Sequence, residues 1–258
     1  MLDKNTEYRS RNEKNKCKID RGLFLPYSEF CILTPVFFKN MFIKFKQSLA
    51  IWLIKKLQKH GSHKVCVLGK TYEISEDVFN PRYYYTSEFM ARHIKVSSED
   101  IVLDIGTGSG IQAITAGQRA SKVIAVDINP EAVRFAAKNV RANGMENIVS
   151  VIEGDLFAPL DRQYKFDVIL FTPPYMEGKP GTDFEHALFD YDKELAGRFF
   201  RDAKEYLKPD GYVQMLYSSI AKPQRVLEIS RQLGWNHSLT AKEKTFTEEF
   251  LIYKLMLK

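Results

Sequence analysis

Four groups of residues in this 258-residue chain have types and spacings that bear on chemistry. The first is Asp104-x-Gly106-Thr107-Gly108-x-Gly110, which follows the apolar run Ile101, Val102, Leu103. An apolar run broken by glycines marks a buried strand that turns sharply into a helix, because glycine lets the backbone turn tightly and come close to a ligand. The second is Asp127-Ile128, at the end of the run Val123 to Val126. It lies about twenty residues beyond the ladder, the spacing that sets a carboxylate beside the ribose hydroxyls of a nucleotide held over the first turn. The third, Gly154-Asp155-Leu156-Phe157, closes the run Ile148 to Ile152. The fourth, Thr172-Pro173-Pro174-Tyr175, stops the run Val168, Ile169, Leu170, Phe171. Two prolines cannot continue a central strand, so the chain breaks there, at a carboxyl end.

In this order and at these distances the groups resemble the class I S-adenosylmethionine-dependent methyltransferases. A nicotinamide dehydrogenase fits less well, since the glycines do not follow G-x-G-x-x-G and hydride transfer has no use for Pro-Pro-Tyr at a strand end. Within the class the chain is similar to the branch that includes release-factor glutamine methyltransferases and the N-methyltransferases of nucleic-acid bases. That similarity extends over residues 78–258 through Asn80-Pro81-Arg82, Gly154-Asp155-Leu156-Phe157 and Leu207-Lys208-Pro209-Asp210-Gly211. The resemblance implies S-adenosyl-L-methionine as cofactor. Amides around Gly106, Thr107, Gly108 and Gly110 would face its methionine part, and Asp104 would lie near its amino group. Asp127 would accept from both ribose hydroxyls and Asp155 from the adenine amino group, with Ile128 and Leu156 against the adenine faces. Thr172, Pro173, Pro174 and Tyr175 would form the catalytic corner.

Methyl transfer from a sulfonium asks the protein mainly to align the acceptor and exclude water. An amide or exocyclic amine is a poor nucleophile because its lone pair is delocalised. Carbonyls near Thr172 and Pro173, free of strand partners, would take its N–H groups and favour pyramidalisation while Tyr175 stacks on its plane. The expected acceptor is therefore a planar nitrogen of a macromolecule. Two acceptors stand open: a protein glutamine, as in the release-factor enzymes, or an adenine or cytosine amino group in RNA or DNA. The branch usually has Asn ahead of Pro-Pro-Tyr, or Asp or Ser in DNA-base enzymes. Thr172 departs from this, and its hydroxyl lacks the donor-plus-acceptor pair of an amide side chain, which weighs against glutamine. Residues 176–192, with Glu177, Lys179, Asp183, Glu185 and His186, read as a substrate loop or as a solvent-exposed connection. The reaction does not require His186 as a base.

The elements that must position these groups alternate. Strands over 101–103, 123–126, 148–152, 168–171 and 212–217 are separated by helices over 111–120, 130–143 and 193–207, and a helix over 223–233 precedes a strand pair near 237–242 and 250–256. The expected architecture is α/β: a Rossmann-like, doubly wound, mostly parallel seven-stranded sheet with an antiparallel edge pair. A hairpin over 65–74 and a helix over 86–93 precede it, with Tyr83-Tyr84-Tyr85 walling the cofactor or filling the seam between hairpin and sheet.

The chain carries a net charge of +6, unevenly placed: 15 Lys+Arg stand against 5 Asp+Glu in residues 1–70, and 23 against 27 in the remainder. The basic part reads as a separate appendage over 1–62, with a methyltransferase domain over 63–258. Phe38, Met41, Phe42, Phe45, Leu49, Trp52, Leu53 and Leu57 recur at helical spacing among lysines, so the appendage contains a basic amphipathic helix. It would dock on the main domain, or touch nucleic acid or a membrane surface. No run reaches the roughly 20 apolar residues of a membrane span. Cys17, Cys31 and Cys66 are scattered and lack metal-ligand spacing, which points to a cytoplasmic setting without a disulfide framework or zinc site. Two further readings remain: a non-catalytic module of the same fold that binds RNA or protein, and a small-molecule methyltransferase with the basic helix as lid.

Overall fold

The structure, a computed structural model, describes residues 63–258 apart from 82–84, 222 and 246–247. The basic tail, the amphipathic helix, Arg82, Tyr83 and Tyr84 lie outside the described residues. β1 (Lys64–Val67) and β2 (Lys70–Glu73) form an antiparallel hairpin. Next come α1 (Thr86–Arg92), β3 (Ile101–Ile105), α2 (Ile111–Ala116), β4 (Lys122–Asp127), α3 (Pro130–Ala142) and β5 (Val149–Glu153). β6 (Phe166–Phe171), the single turn α4 (Asp183–His186), α5 (Glu194–Asp202), β7 (Leu207–Ser218), α6 (Pro223–Gln232), β8 (Trp235–Lys244) and β9 (Glu249–Leu257) complete the chain.

Seven strands make one sheet in the order β5-β4-β3-β6-β7-β9-β8, parallel from β5 to β7 and antiparallel over β7, β9 and β8. The order reverses between β3 and β6, and a doubly wound sheet opens its ligand crevice at the carboxyl ends beside such a reversal. Helices cover both faces, which is why β3, β4 and β6 read as nearly unbroken apolar runs rather than alternating ones. On one face Leu103, Val126, Ile169 and Phe171 pack with Phe199 and Phe200 of α5 and with Trp235. The Phe171 and Phe199 rings stack with centroids 3.7 Å apart. On the other face Val102, Val168 and Leu170 pack with Phe89 of α1, Ile114 of α2 and Tyr72 of the hairpin. Tyr85 packs between α1 and β9, with its ring 6.1 Å from Phe89 and 5.9 Å from Phe250.

β7 begins five residues earlier than the strand expected at Tyr212. Its pairing with β6 jumps from Phe166↔Leu207 to Val168↔Tyr212, so Pro209-Asp210-Gly211 bulges out of a longer strand. A Cβ at Gly211 would lie 2.8 Å from the Phe166 carbonyl oxygen, so only glycine lets that bulge close on β6. Helix α3 starts where its cap dictates: the Asn129 side chain accepts from the Glu131 amide at 2.9 Å, and Pro130 occupies the first turn. Among the described residues no helix is long and apolar enough to cross a membrane.

Candidate active site

The first half of the site lies at the carboxyl ends of β3 and β4. The amides of Gly106 and Thr107 both donate to the Val126 carbonyl, at 2.8 and 3.1 Å, and tie the turn to the end of β4. The Asp127 carboxylate then accepts from the Gly108 amide at 2.8 Å through one oxygen and from the Asn129 amide at 2.9 Å through the other. Gly106, Gly108 and Gly110 have φ of +74°, +56° and +85°, in the left-handed region that favours glycine. A Cβ at Gly106 or Gly108 would meet nothing within 4 Å, so these glycines leave an open approach to the backbone. Burial pushes the Asp127 pKa up, while the amides of Asn129 and Gly108 draw it back.

Asp104 is turned inward from the same turn. One of its oxygens accepts from the Thr107 hydroxyl at 2.6 Å and from the Ala113 amide at 3.1 Å, which locks the ladder to the start of α2. Burial pushes its pKa up to about 7 against those two bonds, with the Asp127 charge adding to the rise. Asn139 of α3 braces the arrangement from behind. Its amide nitrogen donates to the carbonyls of Glu73 and Ser109, at 2.8 and 2.9 Å, and its oxygen accepts from the Glu73 amide at 2.7 Å. The hairpin is thereby stitched to the glycine turn. Sequence reasoning missed Asn139; the available signal was a carboxamide on the otherwise small and apolar buried stripe Ala132, Ala136, Val140.

At the end of β5 the Gly154 amide donates to the Asp127 carbonyl at 2.9 Å, so the second and third groups share one edge. Leu156 is buried with φ of +50°, and Ile128 is 48% exposed at the rim. Asp155 forms an ion pair with Arg198 of α5, a partner the linear sequence does not announce.

The other half is the corner after β6. The last rung between β6 and β7 is Phe171↔Met215; Thr172 lies one residue past it and Tyr217 two residues past Met215. Pro173 and Pro174 are buried. The Tyr175 ring meets Tyr217 edge-on, with centroids 5.9 Å apart and planes at 61°. Among the described residues, three buried side-chain polar atoms have no hydrogen-bond partner: the hydroxyls of Thr172 and Tyr217, and Nδ1 of His237 on β8. An orphaned buried hydroxyl costs about 1–3 kcal/mol, so a pair of them at one strand end is not a neutral feature.

Residues 176–192 are folded back on this corner. Met176 and Phe189 form a bridge, with the Met176 amide donating to the Leu188 carbonyl at 2.9 Å and the Asp190 amide to the Met176 carbonyl at 3.0 Å. Lys193 is buried, and its ammonium reaches the carbonyls of Tyr175 and Asp190 and the Glu177 carboxylate, each at 3.3 Å. Asp192 and Lys193 have φ of +53° and +59°, a strained pair for residues with side chains. The Asp190 carboxylate accepts from the amides of Leu195 and Ala196 at 2.9 and 3.2 Å and so starts α5. Lys193 thus carries the position of Tyr175 into the helix that holds Arg198. His186 is exposed at the end of α4.

An open glycine turn backed by a carboxylate on the next strand suits a ligand with a sugar, and the residues present fit S-adenosyl-L-methionine. Comparison with known proteins agrees. The family model described as Methyltransferase small domain matches residues 78–248. A provisionally named protein N5-glutamine methyltransferase of Methanocaldococcus jannaschii is 34% identical over 166 residues, 62% of this chain and 82% of that protein. The release factor glutamine methyltransferase of Fusobacterium nucleatum is 32% identical over 164 residues, 56% of this chain and 45% of that protein. The chain therefore spans less than half the length of that second relative. The crystal structure of Methanocaldococcus jannaschii Trm5 in complex with adenosine superposes with a TM-score of 0.54 at 18% identity, covering 77% of this chain and 57% of that one, a likeness of fold.

Proposed function

This chain belongs to the methyltransferase small domain family, and from that premise we propose that its acceptor is the side-chain amide nitrogen of a glutamine in a protein. It is an S-adenosyl-L-methionine-dependent methyltransferase. The observation that carries the choice of acceptor is the Pro173-Pro174-Tyr175 corner that begins two residues past the last β6 rung, in a chain about a third identical to proteins named for glutamine methylation.

In this reading Asp127 takes the ribose hydroxyls, held by the amides of Gly108 and Asn129 that already orient its two oxygens. Asp104 faces the amino group, Asp155 the adenine amino group, and Ile128 and Leu156 flank the adenine plane. Bound there, the cofactor supplies an electrophilic methyl carbon. The chain supplies alignment: carbonyls of Thr172 and Pro173 take N–H groups of the acceptor, Tyr175 covers its plane, and Lys193 holds the Tyr175 carbonyl so that the corner keeps its shape. An amide nitrogen pinned through its N–H groups is biased toward the pyramidal geometry in which its lone pair is available.

The test is to incubate the purified chain with methyl-labelled cofactor and separate protein, RNA and DNA fractions of a cell lysate. Label in protein, recovered as N5-methylglutamine on hydrolysis, is the expected result; label confined to nucleic acid would replace glutamine by a base amino group. That second reading draws on Thr172 and on the basic residues of the first seventy positions. It requires an affinity for nucleic acid that falls steeply with salt.

A further inference from the structure

The folded loop beside the proline corner holds one side chain in a place that burial does not explain. Tyr191 is 51% exposed, and among the described residues it is the aromatic one of the large apolar side chains left at the surface. Its backbone is fixed on both sides. The Asp190 amide donates to the Met176 carbonyl at 3.0 Å, and the Asp192 amide to the Glu177 carboxylate at 2.7 Å. Asp192 also pairs with Arg225 in the first turn of α6. Asp192 and Lys193 stand in left-handed conformations, which cost energy at residues with side chains. The Lys193 ammonium lies 3.3 Å from the Tyr175 carbonyl and 3.3 Å from the Asp190 carbonyl, so those two oxygens are at most twice that distance apart. The second belongs to the peptide bond that leads into Tyr191, which ties this residue to the corner. The Lys179 ammonium lies over the Tyr191 ring, 4.7 Å from its centroid, and covers one face.

We propose that Tyr191 docks the polypeptide that carries the acceptor, stacking the face of its ring opposite Lys179 on a peptide plane about three to five residues from the glutamine, at about 3.3–3.6 Å of extended chain per residue. The role rests on the glutamine reading and names the partner surface of the same site. A tyrosine held out on a fixed backbone loses little freedom when a partner covers it, which makes such rings effective anchors at interfaces. Because a peptide plane is the same at every residue, the contact needs no particular neighbour of the glutamine. It adds affinity for the chain around the acceptor, whereas the proline corner holds the amide itself.

Calorimetry on the full chain loaded with S-adenosylhomocysteine tests this, with capped glycine-alanine peptides that have glutamine at the centre and either one or five residues on each side. The longer peptide should bind the parent chain about tenfold more tightly than the shorter, the contribution of one aromatic anchor. Tyr191→Ala should erase that gain and leave the affinity of the shorter peptide unchanged, whereas Tyr191→Phe, which keeps the ring, should preserve it. S-adenosylhomocysteine binding should be the same in both variants, which separates loss of docking from loss of fold. A gain that survives in Tyr191→Ala, a gain lost equally in Tyr191→Phe, or equal binding of the two peptides by the parent overturns the proposal while leaving the glutamine reading intact. The longer peptide with norleucine at its centre decides that reading separately: if it binds as tightly as the glutamine peptide and loses affinity in Tyr191→Ala, the docking surface stands and the glutamine reading falls. Failure of both glutamine peptides to bind the parent overturns the docking role. Oligoadenylate that binds in their place and is lost in Tyr191→Ala shows the ring stacking on a base, and overturns the glutamine reading as well.

Discussion

The carboxyl edge of the sheet holds two kinds of polar chemistry. Around β3 and β4 the groups are satisfied by one another: Asp127 holds Gly108 and Asn129, Asp104 holds Thr107 and Ala113, and Asn139 holds Ser109 and the hairpin. Around β6 and β7 the hydroxyls of Thr172 and Tyr217 are left without partners, and a strained, folded loop is fastened to the Tyr175 carbonyl by Lys193. In the proposed reading the first half holds a ligand that never changes, so its geometry is set by internal bonds and needs little reorganisation on binding. The second half would meet an acceptor that brings its own polar groups, and buried groups without partners are the costly ones to leave there.

Asp127→Ala should break the comparison most forcibly. It removes the carboxylate to which we assign the two ribose hydroxyls and frees the amides it now holds, so calorimetry should show cofactor affinity falling by at least about a hundredfold. Near-normal binding would mean that the sugar is held elsewhere. Asn139→Leu comes next. It keeps the volume of the side chain but leaves the Glu73 amide and the Ser109 carbonyl without their partner, and denaturant melts should report a loss of about 1–3 kcal/mol. An unchanged midpoint would show that the hairpin is not what stiffens the glycine turn.

The third measurement is a pH series. The Asp104 carboxyl is pushed up to about 7 from 3.8 by burial, so the folded chain binds its proton more tightly than the unfolded one. Its contribution to stability is therefore complete below the unfolded value and is lost as pH rises through about 7. Ligand binding should run the other way, because only the ionised carboxylate attracts an ammonium. S-adenosylhomocysteine affinity should rise by up to about tenfold per pH unit below 7 and level off above it. Methylthioadenosine, which lacks the amino acid part, should show no such rise, and Asp104→Asn should abolish it. A parallel pH response of both ligands would remove Asp104 from the amino-group end of the pocket.

The comparison also explains what could be read from the chain before folding. The ladder, Asp127 and the proline corner are legible because each is a local break in an apolar run, and a strand buried on both faces leaves such runs nearly pure. The seven strands and their edge pair follow from the same signal. Side chains that act across elements carry no such mark. Arg198 reaches Asp155 from 43 positions along the chain, and Asn139 reaches Ser109 from 30. Lys193, placed by the sequence only at the start of a helix, is 4% exposed. Tyr217 reads as an ordinary aromatic in a strand, and only the fold shows its hydroxyl to be unmatched. The threonine ahead of Pro173 is visible as a departure, whereas the missing partner of its buried hydroxyl is seen only in the fold.

The smallest expected effect lies at the boundary between the halves. Arg198 and Asp155 are each more than a third exposed, so their ion pair adds at most a fraction of a kcal/mol of stability. The same pair occupies the carboxylate to which the adenine amino group is assigned, and Arg198 belongs to the helix that Asp190 caps beside the acceptor corner. If the Arg198 guanidinium and the adenine amino group compete for Asp155, Arg198→Gln should tighten S-adenosylhomocysteine binding roughly two- to fivefold at low salt, and the gain should shrink as salt screens the ion pair. If the arginine instead orients the carboxylate, the same variant should weaken binding, and Asp155→Asn should lose no further affinity in its background. The first outcome keeps the cofactor half self-contained and makes α5 a brake on it. The second extends preorganisation across the boundary, so that ordering the acceptor loop through Lys193 and Asp190 would also prepare the adenine end of the pocket.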